Sequence, residues 1–403
     1  MAQTSAGLPQ SLLAPGGAAI WQKKGHMRMT QLQARTSVHM DRPDEAIAAI
    51  VGHMQEHDIT VRREGTRWVA DYEGGRGQLW LEGRQVHAEV AAPGVELLQD
   101  MKLMLAHLLL EATGAADGSL AWEGDGAALQ RPPAFRELRV LAVRDLTPHM
   151  RRVRFACDDM ARYAQDTHIH VKLLFPQPGV TEPEWPTLSA SGLLRLPEGD
   201  MRLDMRTYTM RAMGVDGVDS EAGGANGWID VDFVLHEDAG PGSAWAARAQ
   251  PGQRIGMTGP GGRTATPADW MLLAGDDTGL PAMLRIAAAL PAHTRGHVFA
   301  EVQGPQDEQP VQAPAGLQWH WLHRGAAEAG TTTLLIDALR AVRWPDALAG
   351  HPASRFVWAA GEFDTAQAVR QWAREERGLE KHEQLVVAYW RRGMSESDFK
   401  AAK

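Results

Sequence analysis

The chain has 403 residues, 44% hydrophobic and 23% charged, with a net charge of −9. That length exceeds one typical core and predicts about two to three domains, while the acidic balance argues against a nucleic-acid binder. The single cysteine, Cys157, excludes an intramolecular disulfide framework and any Cys-based zinc or iron–sulfur site, and reads as a small buried hydrophobe.

Residues 1–33 are rich in Gly, Ala, Pro and Ser and are expected to form a disordered tail. They show no basic start followed by a clean apolar core, so a cytoplasmic location is expected. No apolar run reaches the roughly 18–20 residues that span a bilayer, so no membrane insertion is expected. Residues 34–124 form a first unit. ARTSVHM alternates as a strand, and DRPDEAIAAIVGHMQEH carries apolar residues at helical spacing with Pro43 in the first turn. TVRREGTRWVADYEGGRGQLWLEGRQVHAEVAA breaks into short strands at Gly turns, and VELLQDMKLMLAHLLLEATG closes as a helix stopped by Gly114. The result is a small α+β domain. His53 and His57 stand four apart, a spacing open to metal ligation, but no third ligand stands at a motif spacing, so no metal site is assigned.

DGAALQRPP, from Asp125 to Pro133, is polar and ends in prolines, so it reads as a linker, and the first unit is expected to be separable. Residues 133–263 then supply strands in RELRVLAVRDLTPHMRRVRFACDDM, HIHVKLLFPQP, MRTYTMR and WIDVDFVLH, the count of a small antiparallel β-barrel. The stretch from Gly179 to Asp200 is long for a connection and is expected to be mobile. From 264 to 403 the periodicity changes. DWMLLAGDD, GHVFAEVQ and RFVWAAGE read as strands alternating with helices in TGLPAMLRIAAALP, TTTLLIDALRAV and DTAQAVRQWAREERG. This predicts βαβ units and a doubly wound, mainly parallel sheet.

RTYTMR concentrates chemistry. Alternation places Arg206, Tyr208 and Met210 on one face of a strand, with Thr207, Thr209 and Arg211 on the other. A ring to cover an aromatic face, hydroxyls for ring nitrogens and guanidinium forks for phosphate suit a flat ring system with an anionic tail. An ordinary half-exposed strand accounts for the same residues.

RTYTMR resembles the R-x-Y-T-x-R flavin motif of the siderophore-interacting proteins, within the ferredoxin-reductase-like group. HEDAGPGSAW (His236 to Trp245), GPGG (Gly259 to Gly262), AGDDTGLPA (Ala274 to Ala282), AAGE (Ala359 to Glu362) and YWRRG (Tyr389 to Gly393) follow in the order that family requires. The resemblance spans Phe135 to Gly393, and the first unit is similar to an accessory domain of unassigned function. It implies that Arg206, Thr207, Tyr208, Thr209 and Arg211 hold the flavin of FAD, with a structural ion pair an equal reading of Arg211. His236, Gly242, Ser243 and Trp245 would then meet its diphosphate and adenine side. Asp276 and Thr278 lie at a strand end where a nicotinamide would bind, with capping of the next helix an equal explanation. Asp277 and Gly279 stand where the family has Glu and Ala, and neither G-x-G-x-x-G nor a terminal Cys-Gly-x occurs.

The implied activity is FAD-dependent reduction of a ferric siderophore or other ferric chelate, with electrons from NADH, NADPH or ferredoxin. No catalytic acid, base or nucleophile is required, because the flavin carries the electron. An anionic ferric complex calls for cations, and Lys172, Arg263, Arg391 and Arg392 are the candidates. Two alternatives stay open: a ferric-siderophore-binding or flavin-sensing protein without turnover, and another NAD(P)H–flavin oxidoreductase.

Overall fold

In LQARTSVH the side chains of Ala34, Thr36 and Val38 are buried while their neighbours face solvent, the mark of a strand covered on one face. A computed structural model describes residues 31–56, 59–164, 167–215, 227–236, 240–344 and 354–394. Residues 1–30 of the expected tail, His57 and residues 237–239 lie outside them, whereas Leu32 and Gln33, also expected in the tail, already pair with Ala92 and Ala91 in the first strand.

The first sheet contains β1 (Leu32–His39), β2 (Val61–Glu64), β3 (Arg67–Tyr72), β4 (Gly75–Glu82), β5 (Gln85–Ala92) and β6 (Glu123–Gly124). Its order is β2-β3-β4-β5-β1-β6, all antiparallel. Two helices cover one face. In α1 (Pro43–Glu56), Ala46, Ile47, Ile50 and Met54 form the buried stripe. The second, α2 (Val95–Thr113), ends as expected at Gly114, whose φ of 65° is the left-handed cap position.

The barrel strands are β7 (Phe135–Thr147), β8 (Met150–Cys157), β9 (His170–Pro176), β12 (Leu203–Gly214), β13 (Gly227–Val234) and β14 (Arg254–Gly261), with a small hairpin of β10 (Thr187–Leu188) and β11 (Leu194–Arg195) between β9 and β12. They close in the order β12-β13-β8-β7-β14-β9. Inward residues such as Val153, Phe155, Leu173, Phe175, Met210, Val231 and Phe233 make its core. The short helix α3 (Pro241–Ala247) inserts Trp245 and Ala246 into that core. Cys157 is buried there too, and burial pushes its thiol up to about 12, consistent with an inert apolar role.

The third sheet is parallel, with β15 (Trp270–Gly275), β16 (Arg295–Val302), β17 (Gly316–His323), β18 (Arg355–Glu362) and β19 (Gln384–Trp390) in the order β17-β16-β15-β18-β19. Every residue of WMLLAG is buried, because helices flank both faces. Met271 and Leu273 meet the side of α4 (Leu280–Ala289). Trp270, Leu272 and Ala274 meet the side of α5 (Leu334–Ala341) and α6 (Phe363–Gln371). Order reverses on either side of β15, which makes its carboxyl end the crevice of a doubly wound fold. No described helix is long and apolar enough to cross a membrane.

Two expectations give way here. The stretch expected to be mobile instead folds as the β10–β11 hairpin, whose tip is held by the first unit: Gln99 Nε2 donates to Gly192 O at 2.8 Å and Trp122 Nε1 to Ser191 O at 3.0 Å. The expected linker also starts inside the first unit, since Gln33 and Asp125 exchange hydrogen bonds of 2.7 and 2.8 Å and Lys102 Nζ donates to Gly126 O. Both corrections have one cause: these segments satisfy polar groups of a neighbouring unit, which local composition does not encode.

Candidate functional site

Pairing of β12 with β9 sets Thr207 opposite Lys172, Tyr208 opposite Val171 and Thr209 opposite His170. Opposed residues share a face, so Lys172, His170, Thr207 and Thr209 line the outside of the barrel and Tyr208 turns inward. Thr207 is exposed, whereas Thr209 is buried where α4 lies against β12. The Tyr208 ring packs 4.5 Å from Phe233 and 6.1 Å from Phe175. A side chain at Gly242 would place its Cβ 2.1 Å from Tyr208 Oη, so the missing side chain lets α3 meet the tyrosine. Arg206 is half-buried and donates to Met205 O at 2.8 Å.

After Met210 the register with β13 slips at a bulge, and Arg211 enters a charged row. Arg152 grips Asp232 with contacts of 2.6 and 2.8 Å, and Arg154 grips Asp230 at 2.8 and 2.9 Å. With both carboxylates held bidentately, Arg211 Nε is buried without a hydrogen-bond partner among the described residues. Burial pulls the Arg211 guanidinium below its ordinary range; Asp232 and Asp230 favour its charge, while Arg152 and Arg285 oppose it. Ser243 Oγ on α3 is likewise buried and partnerless among the described residues. Two orphaned donors and the cradle at Gly242 fit an anionic, ring-bearing dinucleotide such as FAD.

The other expected cofactor residues fare differently. His236 is exposed just after β13, and the preceding Leu235 lines a hollow of about 290 Å³ with Asp145, Leu146, Thr147, Pro148 and Arg151. Trp245 sits in the barrel core, 5.4 Å from Phe175 and 5.9 Å from Phe233. Asp276 is consumed by structure: Oδ1 accepts from Thr278 N, Thr278 Oγ1 and Gly279 N, and Oδ2 accepts from Glu362 N and Trp390 Nε1. Asp276 and Thr278 thus lock the turn after β15 to the ends of β18 and β19, the capping alternative. Next to them Asp277 bonds Arg324 at 2.6 Å, and burial still raises its carboxyl to about 6.

The basic candidates come from stretches that meet. His170 Nε2 lies 2.6 Å from Tyr389 Oη, and His168 Nδ1 lies 2.7 Å from Gly262 O. HVKLLFP, the GPGG loop and YWRRG therefore join at β9. Burial lowers His170 to about 4, with Arg285 adding to the effect, so at neutral pH the imidazole is uncharged and accepts the phenol proton at Nε2. Burial raises the Tyr389 phenol, and it stays a donor. Lys172, Arg263 and Arg392 are exposed, whereas Arg391 lies 4.5 Å over the Phe363 ring. His170, Arg285 and Tyr389 were not singled out individually by sequence reasoning. Nothing local marks a contact between residues 219 apart.

Residues 139–264 match the family model described as the siderophore-interacting FAD-binding domain, and residues 268–393 match that of the siderophore-interacting protein. An uncharacterized protein of Mycobacterium tuberculosis is 36% identical over 281 residues, covering 66% of this chain and 93% of that one. The ferric vibriobactin reductase of Vibrio cholerae is 29% identical over 266 residues, 63% of this chain and 88% of that protein. The crystal structure of a siderophore utilization protein from T. fusca is 37% identical with a TM-score of 0.52, covering 65% of this chain and 94% of that one.

Proposed function

Because the chain belongs to the siderophore-interacting protein family and carries its FAD-binding barrel, we propose that it reduces Fe(III) held by an anionic siderophore. The reading places the reaction in the cytoplasm, with NADH or NADPH as donor and ferredoxin as the alternative. What carries it is the pair of buried donors without partners among the described residues, Arg211 Nε on the barrel and Ser243 Oγ on α3, which an FAD would satisfy. FAD, when bound, supplies the exchange between a two-electron hydride and single electrons.

The chain's own residues bind, orient and attract. Arg206 and Arg211 offer guanidinium groups to the diphosphate, Ser243 adds a hydroxyl, and Tyr208 with Thr209 borders the ring. The neutral His170–Tyr389 pair closes the seam between barrel and parallel sheet without adding charge. Lys172, Arg263 and Arg392 draw in the anionic ferric complex. Hard anionic oxygens suit Fe(III) far better than Fe(II), so gain of one electron loosens the metal.

Anaerobic protein loaded with FAD, reduced by NADH or NADPH and then given an Fe(III) tris-catecholate with a ferrous trap, tests donor and acceptor in turn. Lys172→Ala and Arg263→Ala should raise KM for this chelate several-fold, with flavin content unchanged and the defect shrinking as salt screens charges beyond roughly 8 Å. Protein that takes up no FAD, or reduced flavin that the chelate leaves reduced, sinks the proposal. Chelate binding without electron transfer would favour a carrier instead.

A further inference from the structure

The first unit reaches the substrate face through one guanidinium. Arg162 lies in a short helical turn, Met160–Tyr163, between β8 and β9, and only 13% of its side chain is exposed. Its Nε donates to Gly259 O at 2.8 Å, and its Nη1 forms an ion pair with Glu96 in the first turn of α2. Burial lowers the Arg162 pKa, and the guanidinium, charged at neutral pH, takes the Glu96 carboxylate as its counter-ion. Gly259 opens the GPGG segment, the bulged end of β14 and the turn after it, with a φ of 127°, a conformation open to glycine, and a Cβ there would lie 3.4 Å from His170 O. The far end of the loop is pinned by the His168 contact to Gly262 O, and Arg263 follows.

The first unit is also held in orientation. Glu96 and Gln99 stand three apart on one face of α2, and Gln99 grips Gly192 in the barrel's hairpin while Trp122 grips Ser191. Two contacts from one helical face thus fix α2 against the barrel, one of them ending on Arg162, which in turn donates to Gly259 O.

We propose that Glu96 and Arg162 are positioning residues for the anionic ferric chelate. The first unit, through Glu96, holds Arg162 so that it fixes the Gly259–Arg263 loop beside Lys172. The proposal rests on the reading of this face as the chelate-binding site, and it gives the N-terminal unit a role in capture of substrate rather than in holding FAD. Loss of the Glu96 charge frees Arg162 to turn to solvent, and the Gly259 carbonyl loses its donor. The loop then samples more conformations, and Arg263 is presented less often.

The test uses the full chain with Glu96→Gln and Arg162→Met. Binding of the Fe(III) tris-catecholate, read by quenching of tryptophan fluorescence, should weaken about 3- to 10-fold in both variants, the scale of one lost positioning hydrogen bond. Flavin content should be unchanged, and amide hydrogen exchange in residues 259–263 should quicken without change in the parallel sheet. Arg162→Lys keeps the ion pair but lacks the fork that also reaches Gly259, so it should remain impaired. Unchanged chelate binding and unchanged loop exchange overturn the proposal. So does weakened binding that comes with lost flavin, because that marks a general structural role. Wild-type protein that binds no ferric chelate overturns both this and the functional reading, whereas wild-type binding with indifferent variants overturns this alone.

Discussion

Gly242→Ala probes the contact between α3 and Tyr208 with a result whose sign is diagnostic. The new Cβ would sit 2.1 Å from Tyr208 Oη and 3.0 Å from Cζ, closer than such atoms approach. Oη is the tip of a side chain, but the ring behind it is wedged against Phe233 at 4.5 Å and near Phe175 at 6.1 Å, so relief requires moving the ring or the helix. Overpacking of this kind costs about 1–3 kcal/mol. Gly242 does not adopt a positive φ, so alanine meets no backbone strain and would by itself stabilise the helix by about 0.5–1 kcal/mol. The difference leaves FAD-free protein about 0 to 2.5 kcal/mol less stable. If the complex carries about 1.4 kcal/mol more of that strain than the FAD-free protein, FAD affinity falls about tenfold.

Tyr208→Phe deletes the clashing oxygen, so in that background Gly242→Ala should recover most of its intrinsic gain. The coupling between the two changes should be about 1 kcal/mol or more. Urea unfolding of the FAD-free proteins and FAD titration of the four combinations measure it. Gly242→Ala protein that is more stable than wild type, takes up FAD normally and shows no coupling to Tyr208→Phe would refute the reasoning.

Arg211→Met should act in opposite directions on fold and ligand: removing a buried, poorly compensated cation leaves FAD-free stability equal or higher, while loss of a charge-assisted contact of about 1.5–3 kcal/mol weakens FAD about 10- to 150-fold. Denaturant melts together with FAD titration check both signs, and equal FAD affinity would remove Arg211 from the cofactor set. His170 governs a pH term. Its folded value of about 4 lies below the unfolded value near 6.5, so the stability it confers is complete above about 6.5 and is lost as pH falls toward 4, by at most about 1.4 kcal/mol per pH unit. Urea midpoints between pH 7 and 4.5 should fall less steeply in His170→Gln than in wild type; parallel curves would show that His170 protonates equally in both states.

Periodicity alone separated the barrel from the parallel sheet, because a strand repeats every two residues and a helix every 3.6 whatever surrounds it. WMLLAG reads as an internal strand because it is a short, unbroken apolar run that ends in Gly and acids, and RTYTMR shows its two faces before any partner is known. The helix stop at Gly114 is equally local, since the backbone there needs a positive φ. Partner choice was decided by tertiary structure. Trp245 looks like a ligand contact in sequence but fills the barrel core, because α3 packs its apolar side inward. Asp276 has a ligand's chemistry, yet its oxygens are taken by five donors, three from the turn that follows it and two, Glu362 N and Trp390 Nε1, that only the adjacency of β15, β18 and β19 brings near. His170 finds Tyr389, and Glu96 finds Arg162, across separations where no periodic signal survives. Those contacts follow from strand register and from which unit covers which face, quantities fixed by the summed packing of the whole chain and not by any stretch of it.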